Sequence, residues 1–453
     1  MQLNLVYGRS GTGKSEYVYK DIASKIGTKK IFLVVPEQCN LSAEKKLFEI
    51  SGRQSLIDVE ILTLSRMAHR VSQEVGDSKN HISKAGKDML IYDLITKHKD
   101  SLNFLGKSDK NIDVVNRMFT EFKKHSVSTE TLNNIKLENE YTNLKLKDIA
   151  MLYSEYEAKL SNNFIDENDA LTILAKDLDK TDMFNDSLIY IDEFLGFTPQ
   201  EYAVFEKLIV KADCITAAIC IDKLCDKLNK ETDIFYFNKL FANKLKNIAI
   251  SNNIKVEEKI LEENYRFKSK ELKFLEENLY APSKKYSDEI KDIRLFLASN
   301  PYSEVEFVAQ NIHNLVKYCG YRYNEIGIIA EDIERYSEDA KVILAKYDIP
   351  LFVDEKKELN QNILIKFIIA MIDIFAKGWS FESVFNYLKI GLLPIEKEDI
   401  YSLENYAMKW GIRGSKWYAR QFDYEEINDK QELLESLREK IKHKSETLKK
   451  NAD

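Results

Sequence analysis

Leu3-Asn4-Leu5-Val6-Tyr7-Gly8-Arg9-Ser10-Gly11-Thr12-Gly13-Lys14-Ser15 reads as a short buried strand, a glycine-rich turn and the opening of a helix. Residues 3–7 are mostly apolar and stop at Gly8, and residues 14–23 have helix-forming composition. Between them Gly8, Arg9, Ser10, Gly11, Thr12, Gly13, Lys14 and Ser15 match G-x-x-x-x-G-K-[ST]. Glycines at these places let backbone N–H groups turn inward around phosphate oxygens, and the helix N-terminus adds a positive dipole end. Lys14 is placed to meet β- and γ-phosphates and Ser15 to hold Mg²⁺. A chance match somewhere in such a chain is on the order of one in a hundred. The expectation is ATP with Mg²⁺ on an α/β P-loop fold.

Working outward, residues 30–35 (KIFLVV) and 59–64 (VEILTL) are further strand candidates, the first closed by Pro36. Residues 187–191 (SLIYI) and 214–221 (CITAAICI) resume the pattern, with a helix from Thr198-Pro199 to Val210 between them. A parallel sheet wrapped by helices follows. The strand at 188–191 runs directly into Asp192-Glu193. A P-loop needs a carboxylate from a neighbouring strand to hold Mg²⁺, which fits Asp192, while Glu193 can orient or deprotonate an attacking water. Arg266, in Asn264-Tyr265-Arg266-Phe267, offers a guanidinium able to sense a γ-phosphate; on residue chemistry alone a surface arginine fits as well. Gln38 in Pro36-Glu37-Gln38, then Thr63, Ser65 and Arg66, follow the second and third strands, where open α/β sheets place ligands. Their amide, hydroxyl and guanidinium groups suit nucleic-acid phosphates, although Ser65 serves equally as a helix cap.

Composition narrows the class. Hydrophobic residues at 44% and charged residues at 31% describe a folding chain, and 453 residues suggest more than one domain. A net charge of −7 excludes a wholly basic nucleic-acid coat protein but leaves room for a local basic groove. The five cysteines are scattered without a C-x-x-C pair, so a disulfide frame or zinc site is not indicated and a reducing cytoplasm fits. Residues 1–7 are too short for the apolar region of an export signal before the glycines begin, so export is not expected. The most apolar stretch, residues 363–375, is cut by Lys366 and Asp373 and reads as a buried helix rather than a membrane span.

Residues 1–77 and 164–262 are expected to form the P-loop core. Residues 78–163 are expected to form a helical insertion, with Leu146, Ile149, Tyr153, Tyr156 and Leu160 on one helical face. Residues 263–354 are expected to begin a second α/β domain, with strands at 293–298 and 326–330 around a helix over 302–318 capped by Ser303. Residues 355–453 read as helical, and the last helix (Leu434, Leu437, Ile441, Leu448) nears Asp453 without a glycine stop, so a continuation of the chain is expected. The basic clusters Lys97-His98-Lys99, Lys123-Lys124-His125 and residues 440–444 read as solvated helix faces before DNA contacts.

A series of motifs in order is more specific than any one of them: GRSGTGKS, VPEQ (35–38), LTLSRMAHRV (62–71), SKAGKDML (83–90), YIDEFLGFTPQE (190–201), ENYRFKS (263–269) and LENYAMKWGIRGSKW (403–417). The series resembles the N-terminal part of the AddB family, B subunits of ATP-dependent helicase/deoxyribonucleases related to UvrD-type superfamily-one helicases. The resemblance implies a RecA-like P-loop core with helical insertions and the start of a second RecA-like domain. It implies an AddA-type partner, contact with single- and double-stranded DNA, resection of double-strand breaks for recombinational repair, and recognition of a hotspot sequence. Lys14, Ser15, Asp192, Glu193 and Arg266 fall on the matching ATPase motifs, and Gln38, Thr63 and Ser65 fall where such helicases touch single-stranded DNA. The family's nuclease domain, with its 4Fe–4S cluster, is expected only in a C-terminal part outside these 453 residues. Two departures concern the nucleotide cycle: no adenine-reading glutamine motif fits upstream of Gly8, and Asp222-Lys223-Leu224-Cys225-Asp226 replaces the Gly-Asp-x-x-Gln coupling motif. The alternative is therefore a DNA-binding scaffold with a vestigial nucleotide site.

Overall fold

Parallel strands buried on both faces must be apolar almost throughout, and the strand candidates meet that condition. The computed structural model describes residues 1–53, 55, 57–76, 80–105, 111–135, 138–225, 228–279, 284–354, 359–418, 435–436 and 438–439. It divides into two units, Met1–Arg294 and Leu295–Asp453.

The first unit is α/β and RecA-like. Its sheet is built from β1 (Gln2–Gly8), β2 (Ile31–Val34), β3 (Val59–Leu62), β6 (Leu188–Ile191), β7 (Cys214–Cys220) and β8 (Lys255–Ile260). The order is β3-β2-β6-β7-β1-β8 with every pairing parallel. Helices α1 (Lys14–Lys25) and α2 (Asn40–Ser51) cover one face; α3 (Leu64–Val75), α8 (Ala170–Asp177), α9 (Pro199–Ile209) and α10 (Tyr236–Ser251) cover the other. Alternate side chains of β2 serve the two cores: Ile31 and Leu33 meet Val18, Ile22 and Leu47, whereas Phe32 and Val34 join Met67, Phe205 and Leu245. Thr198 and Glu201 form the capping box that starts α9, with Pro199 as first residue.

β8 escapes a hydropathy reading because its sequence is KVEEKI. It is an edge strand, where charge is tolerated and blunts further pairing. Tyr7 Oη donates to Glu258 Oε2 (2.9 Å) and Lys246 pairs with Glu258 (2.7 Å), so its charges tie it to the sheet. Leu261 N then donates to Tyr7 O (2.8 Å), carrying the chain onto the glycine turn.

The segment 78–163 holds, in its described residues, the helices α4 (Lys84–Lys97), α5 (Asn111–Lys124), α6 (Thr129–Asn134) and α7 (Glu140–Asn163). Two short strands, β4 (Asn80–Ile82) and β5 (Phe164–Asp166), pair at its root. Tyr153, Tyr156 and Leu160 are buried in its own core with Phe119 and Leu94. Lys123 corrects the expectation of a solvated basic face. Its ammonium is buried against Glu157 (2.7 Å) and Asp166, with Lys87 on the other side of Asp166 (2.6 Å). Lys97 and His98 meet Glu155 instead of standing free.

The described residues of 263–294, expected to open the second unit, fall in the first and include α11 (Lys270–Asn278). The second unit holds α12 (Pro301–Cys319), α13 (Ile333–Lys346), α14 (Ile363–Ala376), α15 (Phe381–Lys389) and α16 (Lys397–Trp410). The cap of α12 is Asn300, whose side chain accepts from Ser303 N (2.8 Å); Ser303 is not the cap. Neither 293–298 nor 326–330 is a strand. A strand forms only against a partner, and among the described residues of this unit no strand flanks them; Leu295 and Ile329 are fully exposed. α14 is not buried all round: Ala370 and Ile374 are inside, while Leu364, Ile368 and Ile372 are exposed. No described helix is long and apolar enough to cross a membrane. The last helix, residues 440–444 and Asp226 lie outside the described residues, apart from short pieces near 435–439.

Candidate active site

The parallel order puts the ends of β1, β2, β3, β6 and β8 along one edge, and that edge gathers residues from distant parts of the sequence. Gly8 ends β1 with no room for a side chain: a Cβ there would sit 2.3 Å from Leu261 O and 2.5 Å from Thr12 Oγ1. Gly11 has φ +82°, and a Cβ would come 2.7 Å from that of Arg266. Gly13, also left-handed, is the N-cap of α1 and has no side-chain cap, so the first amides of α1 point into the turn. Lys14 Nζ donates to Arg9 O (2.7 Å), as does Thr12 Oγ1 (2.9 Å). Burial holds the Lys14 ammonium below its ordinary pKa, against the pull of Cys220, Asp192 and Glu193. An incoming anion relieves that penalty.

β7 lies between β1 and β6, so the carboxylates after β6 face the turn across one intervening strand. Ser15 Oγ donates to Glu193 Oε1 (3.3 Å), and Glu193 N donates to Asp192 Oδ1 (2.9 Å). Asp192 is buried, and its Oδ2 accepts no hydrogen bond. Burial, then repulsion from Glu193, pushes Asp192 up to about 6, against the Ser15 hydroxyl and the Glu193 amide. Glu193 is exposed with φ +66°, a left-handed backbone that a non-glycine residue adopts at a cost. A buried carboxylate oxygen without a donor, beside a serine hydroxyl and a second carboxylate, fits a hard divalent cation such as Mg²⁺.

The segment after β8 lies over the turn. Asn264 Nδ2 donates to Ser10 O (3.0 Å), Tyr265 N to Gly11 O (2.9 Å) and Arg266 Nη1 to Ser10 Oγ (3.1 Å). Arg266 is exposed yet held at the glycine turn, and its charge lowers the Lys14 pKa further. Asn264 and Tyr265 escape a reading of the sequence for site residues; their only signal is adjacency to Arg266.

Gln38 is exposed in a short 3-10 turn, Glu37–Cys39, beyond β2. Thr63 is buried, and its hydroxyl caps α3 by accepting from Arg66 N (3.2 Å). The cap is thus Thr63, which leaves Ser65 exposed in the first turn of α3. After β7, Asp222 is paired with the buried Lys239 (2.7 Å), which also holds Asp233 (2.7 Å).

Comparison with known proteins decides the family. The family model described as ADDB, N-terminal matches residues 5–276, more than half of the chain, and runs from within β1 to within α11 with every residue of the site. The chain belongs to the ADDB, N-terminal family. It is 38% identical over 432 residues to the B subunit of the ATP-dependent helicase/deoxyribonuclease of Clostridium botulinum strain Hall, covering 92% of this chain and 38% of that protein. To the B subunit of the same name from Clostridium tetani it is 38% identical over 443 residues, covering 94% and 38%. To that of Clostridium acetobutylicum it is 35% identical over 458 residues, covering 97% and 40%. The chain thus spans about two fifths of the length of the curated relatives it matches. In this ADDB N-terminal chain, the turn, the carboxylate pair and the arginine segment all lie within the matched residues.

Proposed function

We propose that this chain is the ATP- and DNA-binding portion of the B subunit of an ATP-dependent helicase-nuclease. Beside an AddA-type partner it would act in resecting double-strand breaks for recombinational repair and in recognising a hotspot sequence. The observation that carries the proposal is the meeting of Lys14, Ser15, Asp192, Glu193 and Arg266 at one edge of one sheet. The amides of the turn and Lys14 bind the phosphates, Glu193 orients water and takes its proton, and Arg266 stabilises charge on the γ-phosphate. Ser15 and Asp192 would hold Mg²⁺, which supplies charge neutralisation at the phosphate oxygens. Gln38, Ser65 and, through its backbone, Thr63 line the adjacent ends of β2 and β3, where single-stranded DNA would lie. Strand cleavage, with the 4Fe–4S cluster implied by the resemblance, is assigned to sequence outside these residues.

One observation favours a scaffold without turnover. Asp222, where a coupling motif would contact nucleotide, is engaged by Lys239. Steady-state ATP hydrolysis with and without single-stranded DNA separates the two. DNA-stimulated turnover that disappears in Lys14→Ala supports an ATPase site; ATP binding without turnover supports the scaffold.

A further inference from the structure

Arg9 occupies a variable position of the phosphate turn, yet its side chain is bonded to a distant helix. Its guanidinium Nε lies 3.0 and 3.1 Å from the two carboxylate oxygens of Glu276 on α11, and Nη2 donates to Glu276 O (2.6 Å). The guanidinium carbon stands 5.1 Å from the ring centroid of Phe235. Both members of the ion pair are largely shielded from solvent. At the other end of the same residue, Arg9 O accepts from Lys14 Nζ, Thr12 Oγ1 and Thr12 N. Thus the side chain is fastened to α11 while the carbonyl fastens the phosphate-binding lysine.

α11 is fastened a second time. Glu271, buried on the same helix, accepts from the backbone N–H groups of Lys291 (2.7 Å) and Asp292, just before the end of the first unit at Arg294. A short helix is stiff, so one rigid element touches the phosphate turn through Glu276 and the departing chain through Glu271.

We infer that Arg9 is a positioning residue, and that the Arg9–Glu276 pair makes α11 a strut between the phosphate turn and the chain segment at 291–292. The side chain of Arg9 does not bind phosphate. It sets the carbonyl against which Lys14 is aimed, and nucleotide binding is transmitted through α11 to the 291–292 amides. This inference rests on the nucleotide-binding proposal above.

The test uses the 453-residue chain with an N-methylanthraniloyl derivative of ATP and Mg²⁺, and reads two quantities: probe Kd, and hydrogen exchange of the peptide containing residues 291–292. In the unaltered chain the probe binds and slows exchange at 291–292. Arg9→Met and Glu276→Gln each weaken binding about tenfold, the double variant is no worse than either, and slowing at 291–292 is lost at saturating probe. Arg9→Lys keeps the charge but not the fork, and shows the same losses, so the test survives a Met variant that fails to fold. Binding and exchange in both single variants equal to those of the unaltered chain overturn the strut while leaving the nucleotide site standing. Tighter binding in Glu276→Gln also overturns it, since release of Arg9 toward phosphate would then be the dominant effect. An unaltered chain that takes up no probe sinks the nucleotide-binding proposal itself.

Discussion

Ser15 and Glu193 are 178 positions apart in sequence and share a hydrogen bond of 3.3 Å. One lies in the first turn of α1 beside the glycine turn and the other follows β6, so the contact exists only because a single strand, β7, separates β6 from β1.

Glu193→Gln keeps the size of the side chain and a hydrogen-bond acceptor for Ser15, but removes the carboxylate proposed as the base. Steady-state turnover should fall by about a hundredfold or more while nucleotide Kd stays within about threefold. Equal loss of binding and turnover would assign Glu193 to binding instead.

Backbone strain at the same residue gives a second outcome. With φ at +66°, Glu193 sits where glycine is at ease. Glu193→Gly and Glu193→Ala both lack the carboxylate, yet the glycine variant should be more stable by about 1 kcal/mol in urea unfolding. If alanine proves as stable as glycine, the left-handed backbone carries no strain.

Asp192 gives a pH dependence whose sign is set by its raised pKa of about 6. Folded Asp192 holds its proton more tightly than the unfolded chain does, so its stabilising contribution is complete below about pH 4 and lost as pH rises through about 6. At about pH 7.5 the free chain carries the whole cost of the buried anion. Asp192→Asn should then be more stable than the unaltered chain by on the order of 2 kcal/mol, a gain that shrinks to nothing near pH ~4. Calorimetric melting across that range checks it, and a pH-independent difference contradicts it. A Mg²⁺ ion held by Asp192 as proposed would compete with the same proton, so Mg²⁺-dependent nucleotide affinity should decline below about pH 6.

Gly8→Ala meets a backbone carbonyl, Leu261 O, which cannot swing away as a side chain can. The variant should lose about 2–3 kcal/mol of stability, together with the seating of the Asn264–Arg266 segment on the turn. Gly27→Ala, where nothing lies within 4 Å but φ is +88°, should lose about 1 kcal/mol from backbone strain alone. Comparing the two by urea titration separates crowding from conformation.

Much of the first unit is legible in the sequence because its signals are local. The apolar runs of β1, β2, β6 and β7 are long enough to show without neighbours, and Thr198-Pro199 announces α9 by its own capping chemistry. β8 is not legible, because an edge strand is free to be charged and KVEEKI is identified only by what it pairs with. The opposite failure occurs at 293–298 and 326–330, where apolar runs without a partner strand form no strand, and Leu295 and Ile329 stay exposed. Lys123 misleads for the same reason, since the Glu157 and Asp166 that surround it come from other elements.

Two features of the site are written within a dozen neighbouring residues each: the glycine-rich turn that joins a strand to a helix, and the carboxylate pair that ends another strand. Long-range packing settles the rest. Glu193 reaches Ser15, Asn264 and Arg266 close over Ser10, and Arg9 is gripped by Glu276. Those contacts depend on strand order and on the path of the chain after β8, and no local propensity encodes which strand lies beside which.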